Sequence, residues 1–190
     1  EELVRMCHEA GITVTPIPGP AACINALIIS GRSTRRFCFE AFLPQDKKER
    51  QAILEELKVE TRTIILYEAP HRLMQTLEVL QEALGDRKLT ICRELTKKHE
   101  TVFLTTLSEA LVYYKENPPR GECVLVLEGR SREEMEAEKQ QNWLEMPLEE
   151  HMAHYEAGGM DRKEAMKQVA KDRGISKRDV YKILLDAEEK

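Results

Sequence analysis

The densest set of reactive side chains in the sequence follows directly on an apolar stretch. Thr90-Ile-Cys-Arg-Glu-Leu-Thr-Lys-Lys-His-Glu-Thr101 places Arg93, Glu94, Lys97, Lys98, His99 and Glu100 just beyond Ile91. In a sheet packed with helices, side chains past a strand's C-terminal end stand on the rim of a crevice, where ligands of such folds bind. Glu68, His71 and Arg72 form a second such group after the run Thr63-Ile-Ile-Leu-Tyr67. Carboxylates set among guanidinium and ammonium groups could orient a polyanionic substrate and accept a proton from a hydroxyl. The same residues would serve equally as an exposed ladder of ion pairs. The sequence has no G-x-G-x-x-G, P-loop, G-x-S-x-G or Cys/His quartet, which removes dinucleotide, NTPase, serine-hydrolase and structural-zinc chemistry. His151 and His154 lie three apart on a helix beside Glu150 without a third ligand cluster, so no metal is expected there.

Strands must deliver these groups. Leu89 to Leu95 and Thr101 to Thr105 read as strands around the first group, and Thr63 to Tyr67 as a strand covered on both faces. Pro70 then opens an amphipathic helix on Leu73, Met74, Leu77, Leu80 and Leu84 that Gly85 closes. Ahead of it, Phe37 to Leu43 alternates as a strand with Phe37, Phe39, Ala41 and Leu43 on one face. Asp46 with Glu49 caps a helix whose Ile53, Leu54 and Leu57 face inward. Lys47, Lys48 and Arg50 sit in its first turn against the dipole, which suits either an anionic partner or a solvated face. Ser108 caps a helix to Asn117, Pro118-Pro-Arg-Gly121 turns the chain, and Cys123 to Leu127 is another apolar strand. Near the start, Leu3, Met6 and Cys7 give a helix ended by Gly11. Ile12 to Ile17 is a short strand, and Pro20 takes the first position of a helix over Ala21 to Ser30. The N–H groups beside Pro16-Ile-Pro-Gly-Pro20 could cradle an anion or simply form a tight turn. Strands alternating with helices argue an α/β fold, a mixed sheet flanked by helices, over residues 1–130.

At 190 residues and 42% hydrophobic content the chain can bury one substantial core and a small appendage. No apolar run approaches the ~18 residues that span a bilayer and no signal-like segment stands at the start, so a cytoplasmic protein is expected. The chain begins without a methionine or a helix cap and reads as the back part of something longer. Cys7, Cys23, Cys38, Cys92 and Cys123 lack any C-x-x-C spacing and read as reduced core thiols. Residues 131–146 are an acidic linker or exposed helix, and 147–190 a small all-α tail. There, a helix with Ala165, Met166, Val169 and Ala170, the turn Gly174-Ile-Ser176 and a helix with Val180, Ile183 and Leu184 make a helix-turn-helix pattern. The net charge is −5, yet Asp161 to Lys182 is +4 and the remainder −9. Lys177, Arg178, Tyr181 and Lys182 stand where such motifs meet nucleic acid, although a packing element would look alike.

Five motifs in order carry a family resemblance: Pro18-Gly-Pro-Ala-Ala22, Arg36-Phe-Cys-Phe-Glu-Ala-Phe-Leu-Pro44, Leu66-Tyr-Glu-Ala-Pro-His-Arg72, Arg93-Glu-Leu-Thr-Lys97 with Glu100-Thr101, and Gly121-Glu-Cys-Val-Leu-Val-Leu-Glu-Gly129. Together they resemble the ribosomal RNA small-subunit methyltransferase I family, a branch of the tetrapyrrole methylase superfamily, and the tail resembles that family's C-terminal helix-turn-helix. The resemblance implies a two-domain α/β enzyme, a homodimer, that uses S-adenosylmethionine to methylate the ribose 2′-hydroxyl of a cytidine in the decoding region of small-subunit ribosomal RNA. It implies a cofactor cleft between the domains, lined from this side by Pro18, Gly19 and Pro20, by Tyr67, Glu68 and Ala69, and by backbone of Glu122, Cys123 and Val124. Arg93, Glu94, Lys97 and Glu100 would face the substrate, with Glu94 or Lys97 orienting or deprotonating the hydroxyl. Arg72, Lys47, Lys48, Lys177, Arg178 and Lys182 would meet RNA. The superfamily's glycine-rich and Asp-containing cofactor loops belong to its first domain and have no counterpart here. The chain therefore resembles the C-terminal portion and is expected to bind the cofactor weakly or not at all by itself. Two rival expectations are a tetrapyrrole methyltransferase, which would not need a basic helix-turn-helix, and a non-catalytic RNA-binding module, whose affinity would fall steeply with salt and survive loss of Glu94.

Overall fold

The computed structural model describes residues 2–16 and 19–188, with side chains as far as Leu185. Its packing divides the chain into two units, Glu1–Gly129 and Arg130–Lys190. The first unit opens with helices α1 (Glu2–Glu9) and α2 (Ala22–Ile29). It then builds a mixed sheet from β1 (Phe37–Ala41), β2 (Thr63–Glu68), β3 (Lys88–Arg93), β4 (Thr101–Thr106) and β5 (Cys123–Leu127), in the order β1-β2-β5-β3-β4. β1 and β2 run parallel, while β5 is antiparallel to both neighbours and β4 is antiparallel to β3.

The apolar runs of β2 and β5 lie inside this sheet and are covered on both faces, as a continuous hydrophobic strand requires. The pleat sends Leu66, Leu125 and Ile91 to one face, beneath α3 (Lys47–Val59), α4 (Leu73–Leu84) and α5 (Leu107–Glu116). Ile65, Val126 and Cys92 go to the other, beneath Ala26 and Leu27 of α2. Each fully buried leucine or isoleucine here contributes roughly 1.5–3 kcal/mol. Asp46 Oδ1 accepts from the Lys48 and Glu49 N–H groups at 2.9 Å and starts α3. Gly85, at φ 76°, ends α4 in a conformation that side chains rarely adopt.

Several local expectations are overturned by tertiary context. Ile12 to Pro16 forms no strand: nothing pairs with it, and Ile12 and Val14 remain exposed. Ile17, the end of that expected strand, lies outside the described residues, as does Pro18. Pro20 precedes the N-cap Ala21 and does not occupy the first helical position. β1 ends in a bulge, where Ala41 turns to φ 53° and the register with β2 slips between Phe39 and Ala41. The extra residue reverses the alternation, so Leu43 joins the core on the Cys38 side while Phe37 packs on the α2 side. β3 stops at Arg93, two residues before Leu95, because Glu94 turns left-handed at φ 51°. The cap of α5 is Thr106, in a reciprocal box with Glu109, and not Ser108, whose N–H and hydroxyl donate to Asp86.

The second unit holds α6 (Arg132–Glu145), α7 (Leu148–Ala157), α8 (Arg162–Arg173) and α9 (Lys177–Glu188). Composition leaves 131–146 open between linker and exposed helix; it is helix, capped by Ser131 and without a buried residue. Leu148, Met152, Ala165, Val169, Val180 and Leu184 form the core of this unit. Gly174 ends α8 at φ 64°, and Ser176 and Asp179 cap α9 by donating to each other across its first turn. Among the described residues no helix is long and apolar enough to cross a membrane.

Candidate active site at one end of the sheet

The register gathers the expected groups at a single end of the sheet. Glu68, Cys123, Arg93 and Thr101 stand in one row across β2, β5, β3 and β4. Beyond Arg93 the chain makes two tight turns, with Lys97 N–H donating to Glu94 O at 2.9 Å and Glu100 N–H to Lys97 O at 3.1 Å. Two residues of this loop, Glu94 at φ 51° and Thr96 at φ 66°, are left-handed without being glycine. Such conformations cost on the order of 1–3 kcal/mol each and gather at functional sites. The surroundings hold them: Glu94 N–H donates to Glu122 O at 3.3 Å, and Glu100 Oε2 accepts from Thr96 N–H at 2.6 Å.

Arg93 is fixed at two points, its Nε donating to Thr101 Oγ1 at 3.0 Å and its Nη1 to Arg120 O at 3.1 Å. Glu94 lays its half-buried carboxylate over Gly121 and receives Lys97 Nζ on Oε1 at 3.1 Å. A Cβ at Gly121 would come within 2.2 Å of that oxygen, so this glycine makes room for the carboxylate. Arg93, Glu94, His99, Thr101 and Gly121 line a cavity of about 670 Å³, within the range of ligand pockets. Its far wall, which sequence reasoning missed, is aromatic: Phe103 from β4, and Tyr113 and Tyr114 from α5, with Asn117 and Arg120 beyond them. The adjacent pair Tyr113-Tyr114 was the only signal, in a chain that is 5% aromatic. Burial pushes the Tyr114 hydroxyl up to about 12 and the Cys123 thiol up to about 11, so neither is a nucleophile near neutrality.

The other expected groups lie elsewhere. Lys97 and Glu100 are exposed on the loop, outside the cavity lining. Tyr67 points to the opposite, α2-facing side of the sheet, packed edge-on against Phe39 at 4.9 Å and Phe42 at 5.8 Å. Its hydroxyl accepts from Cys23 N–H at the start of α2 at 3.1 Å, and burial raises its pKa. Gly19 and Pro20 are exposed just ahead of that helix, and Val124 is buried beneath it. Glu68 is 1% exposed and engaged within its own turn, accepting from Ala69 N–H at 2.8 Å and Thr76 Oγ1 at 2.5 Å, with Arg72 Nε 3.6 Å away. Arg72 also donates to Leu43 O at 2.9 Å, so it braces the turn. Glu122 contributes its carbonyl to Glu94. Thus Glu68 and Arg93 share both the sheet end and the face covered by α3, α4 and α5, whereas Tyr67 and Val124 face α2. Lys47 and Lys48 are exposed on α3, and Lys177, Arg178 and Lys182 on α9.

Comparison with known proteins finds named relatives of the chain. The chain is 44% identical to the ribosomal RNA small subunit methyltransferase I of Synechocystis sp., over 99% of this chain and 66% of that protein. The proteins of the same name from Bacillus subtilis and Halalkalibacterium halodurans are 44% and 46% identical, over 95% and 96% of this chain and 61% and 62% of theirs. The chain therefore spans less than two thirds of the length of these relatives. Among solved structures, the methyltransferase CobJ superposes with a TM-score of 0.52 at 17% identity, over 67% of this chain and 55% of that one. Cobalt precorrin-4 methyltransferase, a cobalamin biosynthetic enzyme, gives 0.50 at 15%, over 67% and 56%. At such identities these two likenesses speak for the fold alone. A sequence profile of the tetrapyrrole (corrin/porphyrin) methylases matches residues 1–111, more than half of the chain, and the chain belongs to that family.

Proposed function

We propose that this chain is part of an S-adenosylmethionine-dependent enzyme that methylates the ribose 2′-hydroxyl of a cytidine in small-subunit ribosomal RNA. The observation that carries this reading is the placement of Glu94. One of its oxygens holds Lys97, and the other has no protein partner among the described residues. The carboxylate stands beside a cavity lined by guanidinium groups and aromatic rings. Identity of 44–46% with proteins named ribosomal RNA small subunit methyltransferase I supports small-subunit ribosomal RNA as the substrate.

S-adenosylmethionine supplies a methyl group on a sulfonium, ready for displacement by an oxygen. The chemistry of the α2 side of the sheet end suits it: the Phe39, Tyr67 and Phe42 rings, two of them about half exposed, offer faces for an adenine and a cationic sulfur. Gly19, Pro20 and the backbone at Ala69 and Glu122 would complete this wall. Glu94 would take the hydroxyl proton on its free oxygen as the ribose oxygen becomes methylated, and Lys97 would hold the carboxylate in place. Arg93, locked by its two hydrogen bonds, would orient the phosphate beside the target ribose. The exposed cations of α9 would add affinity without sequence choice. Action on ribosomal RNA would place the protein in the cytoplasm.

The test is an in vitro assay in which the full-length protein meets small ribosomal subunits and methyl-labelled S-adenosylmethionine. Nuclease digestion and mass spectrometry should then find the label in 2′-O-methylcytidine. Label on a base, or no transfer from an active preparation, would reject the reading.

A further inference from the structure

We propose that the cavity between β4 and α5 is a subsite for one unstacked nucleotide of single-stranded RNA. Its base would lie on the Tyr113–Phe103 wall and its phosphate between Arg93 and Arg120. The inference rests on the RNA-substrate reading above and adds a binding site to it.

The wall is rigid. Phe103 and Tyr113 have ring centroids 4.9 Å apart at 48°, and Tyr113 meets Tyr114 edge-on at 5.1 Å. Tyr114 is 4% exposed and anchors the set in the core, while Tyr113 is 46% exposed and presents its ring. A large aromatic surface held open to solvent is what sequence-tolerant readers of single strands use, since every base has a face to stack. The electrostatics suit the rest of a nucleotide. Arg93 spends Nε and Nη1 inside the protein, leaving Nη2 without a protein partner among the described residues, and Arg120 is exposed. His99 lines the same space. Of the two carboxylates there, Glu94 is paired with Lys97 and Glu116 is exposed on a solvated helix end. A duplex would offer this wall only paired, stacked bases, so the subsite selects an unpaired segment.

Fluorescence anisotropy with a fluorescein-labelled single-stranded oligoribonucleotide, titrated over a salt series, tests the assignment. Tyr113→Ala should weaken binding roughly five- to a hundredfold with the salt slope unchanged, and Tyr113→Phe should bind like the wild type. Arg120→Ala should weaken binding and reduce the slope of log K against log salt by about one. Affinity for a duplex of equal length should not respond to Tyr113→Ala. If Tyr113→Ala binds the single strand like the wild type while a Lys177→Ala, Arg178→Ala double variant loses affinity, RNA binds only to the tail and the subsite is refuted, with the RNA reading intact. Failure of the wild type to bind the oligonucleotide even at low salt would overturn the RNA reading itself and the subsite with it.

Discussion

At the scale of single residues, the proposed chemistry turns on a strained loop. Glu94 and Thr96 adopt left-handed backbone at a cost that nothing in the core requires. Thr96 is β-branched, so Thr96→Gly should stabilise the protein by about 1 kcal/mol, read as a higher urea midpoint; an unchanged or lower midpoint would show the strain to be absent. Glu94→Gln, nearly the same shape without the charge, should lower methyl transfer about a hundredfold or more while leaving the melting temperature in place. Two glycines separate stability from activity. At Gly129 an added Cβ would come within 2.3 Å of the Arg62 backbone oxygen, so Gly129→Ala should cost about 2 kcal/mol. At Gly121 the obstacle is the movable Glu94 carboxylate, together with a φ of 75°. Gly121→Ala should cost about 1 kcal/mol but depress turnover much further. Equal turnover in both variants would detach Glu94 from the reaction.

At the scale of elements, the second unit contains a pH-sensitive stack. His151 is fully buried, its ring parallel to Trp143 with centroids 4.0 Å apart, and its Nδ1 accepts from Arg173 Nε–H at 3.1 Å. The imidazole is therefore neutral, with its proton on Nε2 toward Asp172 Oδ2 at 3.4 Å. Burial, and then the Arg173 charge, hold its pKa below the ordinary 6.5. Below pH 6.5 the unfolded chain takes a proton that the folded unit refuses, so stability falls as the pH is lowered from there toward the folded pKa. Trp143 is the only tryptophan, so urea unfolding followed by its fluorescence should show a lower midpoint at about pH 5.5 than at about pH 7.5. His151→Phe should remove most of the difference, and a difference that survives would assign it to other groups. Elements were legible where punctuation is strong: Gly85 ends α4, although that helix starts at Leu73 after the N-cap Arg72 and not at Pro70, and Asp46 and Ser176 start α3 and α9. They were not where the deciding partner is distant. Ile12 to Pro16 alternates like a strand but finds no neighbour, and Ala41 carries a bulge that no residue preference announces. The rim at Arg93 and Glu94 was visible because its residues are consecutive. The wall of Phe103, Tyr113 and Tyr114 was hidden because only the pairing of β3 with β4 and the seating of α5 assemble it.

At the scale of the whole molecule, the chain joins an α/β unit that carries the candidate chemistry to a helical unit whose Asp161–Lys182 segment is +4 in a protein of net charge −5. Such a division predicts that affinity and catalysis respond to different substitutions. Alanine at Lys177, Arg178 and Lys182 should weaken binding to small ribosomal subunits and flatten its salt dependence by about one unit for each phosphate no longer neutralised, with the single-turnover rate at saturation unchanged. A fall in that rate instead would place the α9 cations in the chemistry. The homodimer that the family resemblance implies is tested by light scattering of the full-length protein: twice the protomer mass is expected, and a single protomer mass would reject it. The most direct test of the central claim is mass spectrometry of small-subunit ribosomal RNA from cells that lack the full gene and carry either the wild-type gene or its Glu94→Gln version. The account predicts that one 2′-O-methylcytidine disappears on deletion, returns with the wild-type copy and stays largely absent with Glu94→Gln. Full methylation restored by Glu94→Gln, or an rRNA modification pattern unchanged by the deletion, would contradict it.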